Sequence, residues 1–96
     1  MAHYPATDVD SPRNHWKLER VVLDRGEGRG VYCLGYWDAQ PVIGFRWNGG
    51  DATPKGNPVS RGYPTWVVLA EEDYPVLVNI FPSGMQAEIR RFLRLK

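Results

Sequence analysis

The sequence predicts an α+β domain: an antiparallel meander of four to five strands, with one C-terminal helix packed on one face. Three observations support this class. Apolar residues alternate with period two in several short segments between residues 16 and 70. Connections rich in glycine and proline separate those segments. After residue 82 the apolar spacing changes to that of a helix.

Four segments are predicted as strands. The first, "WKLERVVLD" (16–24), has an alternation that slips near Arg20–Val21, as a β-bulge would cause. The second and third, "VYCLGYWD" (31–38) and "PVIGFRWNGG" (41–50), are joined by "AQ" at 39–40, which is short enough for a tight hairpin. The fourth is "TWVVLA" (65–70).

The segment "YPVLVNIFP" (74–82) fits two structures. Val76, Val78 and Ile80 alternate as in a strand, whereas Val76, Leu77, Ile80 and Phe81 fit one face of a helix. The β-branched residues favour the strand, and the helix stays open as the alternative.

The C-terminal segment is predicted as a helix that begins at Ser83. Ser83 and Gln86 have the spacing of a capping box. Apolar residues then recur at helical spacing, at Met85, Ile89, Phe92 and Leu93. The sheet residues that we expect to contact this face share one side of the third strand, and they are Ile43, Phe45 and Trp47.

Length and composition predict a single domain over residues 1–96, with residues 1–14 as a loosely ordered N-terminal arm. The chain has 96 residues and is 43% apolar, which suffices for one modest core. Four tryptophans (Trp16, Trp37, Trp47 and Trp66) could supply much of that core. Cys33 is the only cysteine, so an intrachain disulfide is excluded, and its place in a strand predicts an inert buried thiol.

The sequence also indicates where the protein acts. "MAHYPATDVDSPRNH" contains no apolar run, so we expect no signal peptide, and no stretch is apolar enough for a membrane span. We therefore expect a cytoplasmic protein that does not bind membranes. The formal charge of +1 favours no partner of either sign.

Motifs for catalysis or metal binding are weak. His3 and His15 both lie in or beside the predicted arm, and one cysteine with scattered carboxylates makes no recognisable metal site. We expect no metal and no cofactor. No serine lies in a strand-to-helix elbow, and the acidic run 71–73 is better explained as a solvated turn. Enzymatic activity is thus unsupported, and no catalytic residue is predicted.

Two arginine-containing segments have both a structural and a functional explanation. "RGEGRG" (25–30) precedes a strand and not a helix, so a wide hairpin turn is favoured over a phosphate-binding loop or an RNA-binding tract. Arg90, Arg91 and Arg94 make the C-terminal helix basic. They can form a surface for an anionic partner, but they can also simply complement the helix dipole, and we favour the dipole.

The strongest candidate site is "GNPVSRGYPTW" (56–66). Its two prolines and two glycines predict a stiff, shaped loop, which loses little entropy on binding. Arg61 offers a forked donor beside a hydroxyl and aromatic rings, a set that suits a carboxylate, a phosphate or a stacked base. The structural alternative is that Arg61 pairs with Asp51 or another acidic neighbour and holds the loop shut. The candidate binding residues are Asn57, Ser60, Arg61, Tyr63 and Trp66.

"RWNGG" (46–50) followed by "GNPVSRGYPTWVVL" (56–69) resembles short uncharacterised bacterial proteins of plasmids, gene cassettes and other mobile elements. The resemblance covers about a third of the chain and carries no catalytic motif. It implies a bacterial accessory protein.

Together these observations predict a small binding module that engages a protein or a small anionic ligand through the loop at 56–66. Two alternatives stay open: an enzyme whose active site is at that loop, and a nucleic-acid-binding protein that uses the basic C-terminal helix. Because a short meander leaves two open sheet edges, we also expect a homodimer.

Overall fold

A computed structural model describes residues 3–95 of the chain. Six strands precede two helices. The elements are β1 Trp16–Asp24, β2 Gly30–Trp37, β3 Gln40–Trp47, β4 Val59–Ser60, β5 Tyr63–Pro64, β6 Val67–Val68, α1 Tyr74–Leu77 and α2 Gln86–Leu93. Short 3-10 turns complete the secondary structure, at Ala6–Asp8, Glu71–Asp73, Val78–Ile80 and Ser83–Met85.

The main sheet has four antiparallel strands in the order β1–β2–β3–β6. The short strands β4 and β5 form a separate hairpin within the long connection between β3 and β6. The predicted fold class is therefore confirmed: an antiparallel sheet with a C-terminal helix on one face. No helix in the described part of the chain is long and apolar enough to cross a membrane.

Strand β1 contains the β-bulge that its sequence predicts. The pairing of β1 with β2 shifts register between Leu18 and Arg20 and again between Val21 and Leu23, so the expected bulge is present twice. The turn between β2 and β3 is Asp38–Ala39, one position earlier than the predicted pair. Both turn residues have positive φ, 49° and 71°, which suits the twist of a two-residue hairpin.

Helix α2 covers part of one sheet face. It packs against β3, and Ile43 and Ile89 are both fully buried in the same core. Phe92 meets Tyr36 edge-on, with 5.2 Å between ring centroids. Trp47, however, is 52% exposed, so the expectation that it lies in the core under the helix is wrong. The position of Trp47 explains its exposure, because it is the last residue of β3 and lies at the end of the sheet.

The segment 74–80 is helical: α1 is followed directly by the 3-10 turn Val78–Ile80. The favoured strand is wrong and the segment is helical, but Val76 and Ile80, which the helical alternative placed on the apolar face, are both exposed. Tyr74 and Val78, four residues apart, are the buried members of this segment, whereas Val76 is 71% exposed. A strand would have placed Val76 and Val78 on the same face.

The start of the C-terminal helix also differs from the prediction. A 3-10 turn begins at Ser83 and leads into α2, but no side-chain capping bond is made there. The Gln86 amide instead donates to the carbonyl oxygen of Phe81, at 2.9 Å. The capping-box spacing thus located the helix but not its hydrogen bonds.

The opposite sheet face is covered by Trp16, Trp66 and the N-terminal segment. The Trp16 ring lies on Gly35, where an added Cβ would come within 2.3 Å of it. The Trp66 indole nitrogen donates to the carbonyl oxygen of Val9 at 2.6 Å, and Ala6 and Val9 are buried. Within the predicted N-terminal arm, Ala6 and Val9 therefore belong to the buried core cluster.

Candidate functional site

The sequence-predicted loop forms a hairpin whose tip is Arg61–Gly62. Both residues have positive φ, 53° and 83°, as in the turn between β2 and β3. The side chains of Ser60, Arg61 and Tyr63 are exposed, and Tyr63 is 64% accessible. Arg61 takes part in neither of the two ion pairs found within residues 3–95, which join His15 to Asp38 and Arg20 to Glu88. It therefore does not hold the loop shut through Asp51.

Trp66 does not belong to this surface. It is 8% exposed, and its ring lies 6.3 Å from that of Trp16 in the core. The prediction that Trp66 is a binding residue is therefore wrong. The sequence could not separate Trp66 from Tyr63, because both are aromatic residues at the end of a proline-containing loop.

The long connection is instead held by Arg46, which is 2% exposed. Its guanidinium donates to the carbonyl oxygens of Thr65 (2.5 Å), Pro58 (3.3 Å) and Lys55. Burial lowers the pKa of this guanidinium from its ordinary value. Because these three acceptors are main-chain carbonyls on both sides of the hairpin, Arg46 fixes the two ends of the loop relative to β3.

The base of the hairpin continues the sheet beside Trp47. The main chains of Trp47 and Asn57 exchange both hydrogen bonds, at 2.8 and 3.0 Å. Directly opposed antiparallel residues direct their side chains to the same face. The exposed Asn57 therefore lies on the same side as Trp47, and the hairpin borders the uncovered end of the helix-bearing face.

That uncovered end contains a hollow of about 450 Å³. Trp47 and Phe45 meet there almost at right angles, with 5.2 Å between ring centroids and 86° between planes. Tyr32 packs against Phe45 at 4.9 Å. The residues that line the hollow carry two positive charges and no negative one, and they are Arg25, Gly28, Arg29, Gly30, Tyr32, Phe45 and Trp47.

A glycine shapes this hollow. Gly30 pairs with Trp47 across the sheet, and a Cβ on Gly30 would come within 2.7 Å of the Phe45 ring. The absence of a side chain at this position lets the Phe45 ring lie over the backbone of β2. The hollow therefore has an apolar floor beside the exposed indole of Trp47.

The turn that supplies both arginines is held in place by Asn48. The Asn48 side-chain amide donates to Asp24 at 2.8 Å and to the carbonyl oxygen of Gly26 at 2.9 Å, and its backbone N–H donates to the carbonyl oxygen of Arg29. The turn "RGEGRG" is thus the predicted hairpin connection. It also brings Arg25 to 5.7 Å above the ring of Tyr32.

The acidic residue of the same turn lies elsewhere. The Glu27 carboxylate is directed toward Gly50, 3.4 Å from where a Cβ on that glycine would be, and Glu27 does not line the hollow. The arginines of the turn face the aromatic rings while its acid does not. Sequence reasoning missed this site because its members come from two separate stretches of the chain, 25–32 and 45–47. The signal available was the hairpin register, which places 29–30 beside Trp47.

The basic C-terminal residues lie at the end of α2. Arg91 and Arg94 are exposed and Arg90 is half-buried. Arg94 has a φ of 61° and ends the helix, with the N–H of Leu95 donating to the carbonyl oxygen of Arg90. Two of the three arginines therefore belong to the last turn, where cations offset the helix dipole.

Among the residues that the structure describes, the side chains that could take part in catalysis are either buried or lack a neighbouring nucleophile. Cys33 is fully buried, and desolvation raises the pKa of its thiol well above the ordinary value. His15 and Asp38 form an exposed pair, 2.8 Å apart, beside a cleft of about 460 Å³. The lining of that cleft, as far as the chain is described, offers no serine, threonine or cysteine as a nucleophile. Within residues 3–95 no group of three His, Cys, Asp or Glu side chains could hold a metal.

No family model, curated protein or solved structure matches this chain.

Proposed function

We propose that this protein is a binding module for an anionic ligand that also carries a flat apolar group, and that the ligand occupies the hollow beside Trp47. One observation carries the proposal: a half-exposed indole stands beside two arginines in a lining without any acid. Large aromatic rings are normally buried, so an exposed one next to unpaired cations favours a recognition role.

The hairpin at 56–66 forms the second part of the proposed surface. Asn57 lies beside Trp47, and Ser60, Arg61 and Tyr63 continue outward from it. Arg46 supports this role indirectly, because it holds both ends of the hairpin and so reduces the entropy lost on binding. The binding role predicted from the sequence is thereby retained for four of the five residues and extended to the hollow.

Binding is favoured over catalysis by the state of the reactive groups. The buried Cys33 thiol, with its raised pKa, is protected from ionisation and from substrates. An active site at the loop would need a carboxylate such as Asp51 as its base, and Asp51 is exposed in a bend of the chain.

An anionic aromatic probe tests the proposal. Anilinonaphthalene sulfonate and its neutral analogue N-phenylnaphthylamine share a ring system and differ in charge. We expect the sulfonate to shift the NMR signals of the Trp47 indole and of the amides at 29–31. Replacing Arg25 and Arg29 together by alanine should weaken the sulfonate about tenfold, equivalent to roughly 1.4 kcal/mol, and leave the neutral analogue unchanged.

The matched control is Trp37→Ala. Trp37 is also partly exposed and ends β2 as Trp47 ends β3, but it stacks on His15 at the opposite end of the sheet. We expect Trp47→Ala, and not Trp37→Ala, to abolish the shifts of the amides at 29–31. Shifts that persist in Trp47→Ala, or that map to the cleft beside His15, would contradict the proposal.

We further propose a homodimer that acts in the bacterial cytoplasm as an accessory protein of a mobile element. Strand β6 ends the sheet, and Val67 and Val68 remain 45% and 38% exposed there. Such an edge favours pairing with a second copy. Light scattering should give a dimer mass that Val68→Lys converts to a monomer, and a monomer mass for the unmodified chain at high concentration would refute it.

A further inference from the structure

We propose that the ligand of the Trp47 hollow is a single-stranded nucleic acid: one base stacks on Trp47 and the adjoining phosphates bind Arg25 and Arg29. This inference rests on the function proposed above, because it names the ligand class of the same site.

The ring geometry fits a nucleobase. Trp47 and Phe45 form a corner with an angle of 86° between their planes. A flat ring that stacks on one of them meets the other edge-on, the second favourable arrangement for aromatic groups. A nucleobase is a flat ring with two apolar faces, and stacking on an exposed aromatic residue is the usual way in which proteins hold single strands.

The charges fit the phosphates that flank such a base. Arg25 and Arg29 both line the hollow, on a turn that Asn48 holds in place, while Glu27 points toward Gly50. A guanidinium binds phosphate oxygens through two parallel N–H donors. The net charge of +1 would not attract a polyanion by itself, so the attraction is local to this end of the sheet.

A strand fits the surface better than a free nucleotide does. The hollow leaves Trp47 half exposed, so a single nucleotide would bury little of its own surface there. The bridge between Trp47 and Asn57 leads to a second cation and a second exposed ring, Arg61 and Tyr63. A polymer that repeats base and phosphate can contact both sets at once, and linked contacts strengthen one another. Paired bases in a duplex are not available to stack on Trp47.

Fluorescence anisotropy with labelled oligo(dT) and oligo(U) of about fifteen nucleotides tests the inference. We expect Trp47→Ala to weaken binding about 5- to 150-fold, the range for losing one base stack. Trp47→Phe should restore most of the affinity, because a ring returns, and Trp37→Ala should change nothing. A duplex of the same sequence and thymidine monophosphate should compete poorly.

The salt dependence distinguishes the arginines. Each phosphate contact with a single strand contributes about 0.7 to the slope of log K against log salt. Arg25→Ala and Arg29→Ala should each lower that slope by about this amount. Arg91→Ala is the control, since Arg91 is exposed on α2 and outside the hollow. A loss of slope with Arg91→Ala but not with Arg29→Ala would place nucleic acid on the helix and overturn the inference.

The two proposals fail in different ways. If the sulfonate probe binds at Trp47 but no oligonucleotide does, the ligand class is wrong and the anion-binding site stands. If neither binds there, both are wrong. Oligonucleotide binding that Trp47→Ala leaves unchanged also overturns the inference, and circular dichroism of each variant ensures that a loss of binding is not a loss of fold.

Discussion

Two arginines in one region of the molecule, Arg46 at the base of the long connection and Arg61 at its tip, have opposite surroundings. Arg46 is buried and bound by main-chain carbonyls, whereas Arg61 is exposed at a hairpin turn. The sequence made Arg61 the candidate for both a binding role and a clamping role. The structure gives the clamp to Arg46, which leaves Arg61 free for contacts outside the chain.

The glycines of the connection show the same division. At the base, a Cβ on Gly56 would lie 2.1 Å from the carbonyl oxygen of Trp47 and 2.9 Å from the guanidinium of Arg46. At the tip, a Cβ on Gly62 would meet nothing within 4 Å. Packing and several hydrogen bonds therefore determine the base, whereas the tip depends on backbone conformation and on one exposed side-chain contact, in which the Lys55 ammonium donates to the carbonyl oxygen of Gly62 at 2.6 Å.

The largest expected effect is at Arg46. Arg46→Met keeps an unbranched apolar stem but removes every donor, leaving the carbonyls of Lys55 and Thr65 without this partner. We expect a loss of about 3 kcal/mol or more in the free energy of unfolding, measured by urea denaturation. The stability of Arg46→Lys should lie between that of the unmodified protein and that of Arg46→Met, because one ammonium cannot replace a forked guanidinium that reaches three acceptors.

A local measurement accompanies this prediction. The amides of Asn57 and Thr65 donate to Trp47 and Pro58 across the base of the loop. In Arg46→Lys we expect their hydrogen exchange to accelerate more than that of amides in the centre of β2. An unchanged denaturation midpoint for Arg46→Met would show that the carbonyls are satisfied without the guanidinium, and the distinction between base and tip would be lost.

The next effect compares the two glycines directly. Both have positive φ, 65° for Gly56 and 83° for Gly62, so alanine is strained at either position. Gly56→Ala adds a collision with backbone atoms and should cost about 2–3 kcal/mol, whereas Gly62→Ala should cost about 1 kcal/mol. Equal losses in urea denaturation would mean that backbone strain alone accounts for both.

The sequence predicts an element of this fold correctly where the spacing of apolar residues fits only one type of secondary structure. Alternation identified β2 and β3, and helical spacing identified α2. In 74–82 the spacing of Val76, Val78 and Ile80 fits a strand, while another set of apolar residues in the same segment fits a helix, and β-branching favoured the wrong one. In the structure Tyr74 is buried and its hydroxyl donates to the carbonyl oxygen of Leu69, a contact between two separately predicted segments that periodicity within 74–82 does not contain.

The site was predictable only in part for a related reason. Exposed turn residues such as Arg61 follow from glycine and proline placement. The role of Arg46 does not follow from the sequence. Alternation places Arg46 on the other face of the sheet from Phe45 and Trp47, and such a face is usually exposed to solvent. Here the N-terminal segment and the loop cover that face. The apolar and small partners Val31, Cys33 and Gly35 on the neighbouring strand were the available hint that both faces are buried.

The smallest expected effect on stability is at Arg61. Arg61→Ala exchanges one strained residue for another and removes no described hydrogen bond, so the free energy of unfolding should change by no more than about 0.5 kcal/mol. Arg61→Asn should stabilise by about 0.5 kcal/mol, since asparagine followed by glycine is favoured in a hairpin turn with positive φ. Oligonucleotide affinity should nevertheless fall by more than about 1 kcal/mol in Arg61→Ala, as for an interface arginine. A stability loss close to that of Arg46→Met would mean that Arg61 is also a structural clamp, whereas unchanged stability with unchanged affinity would confine binding to the Trp47 hollow.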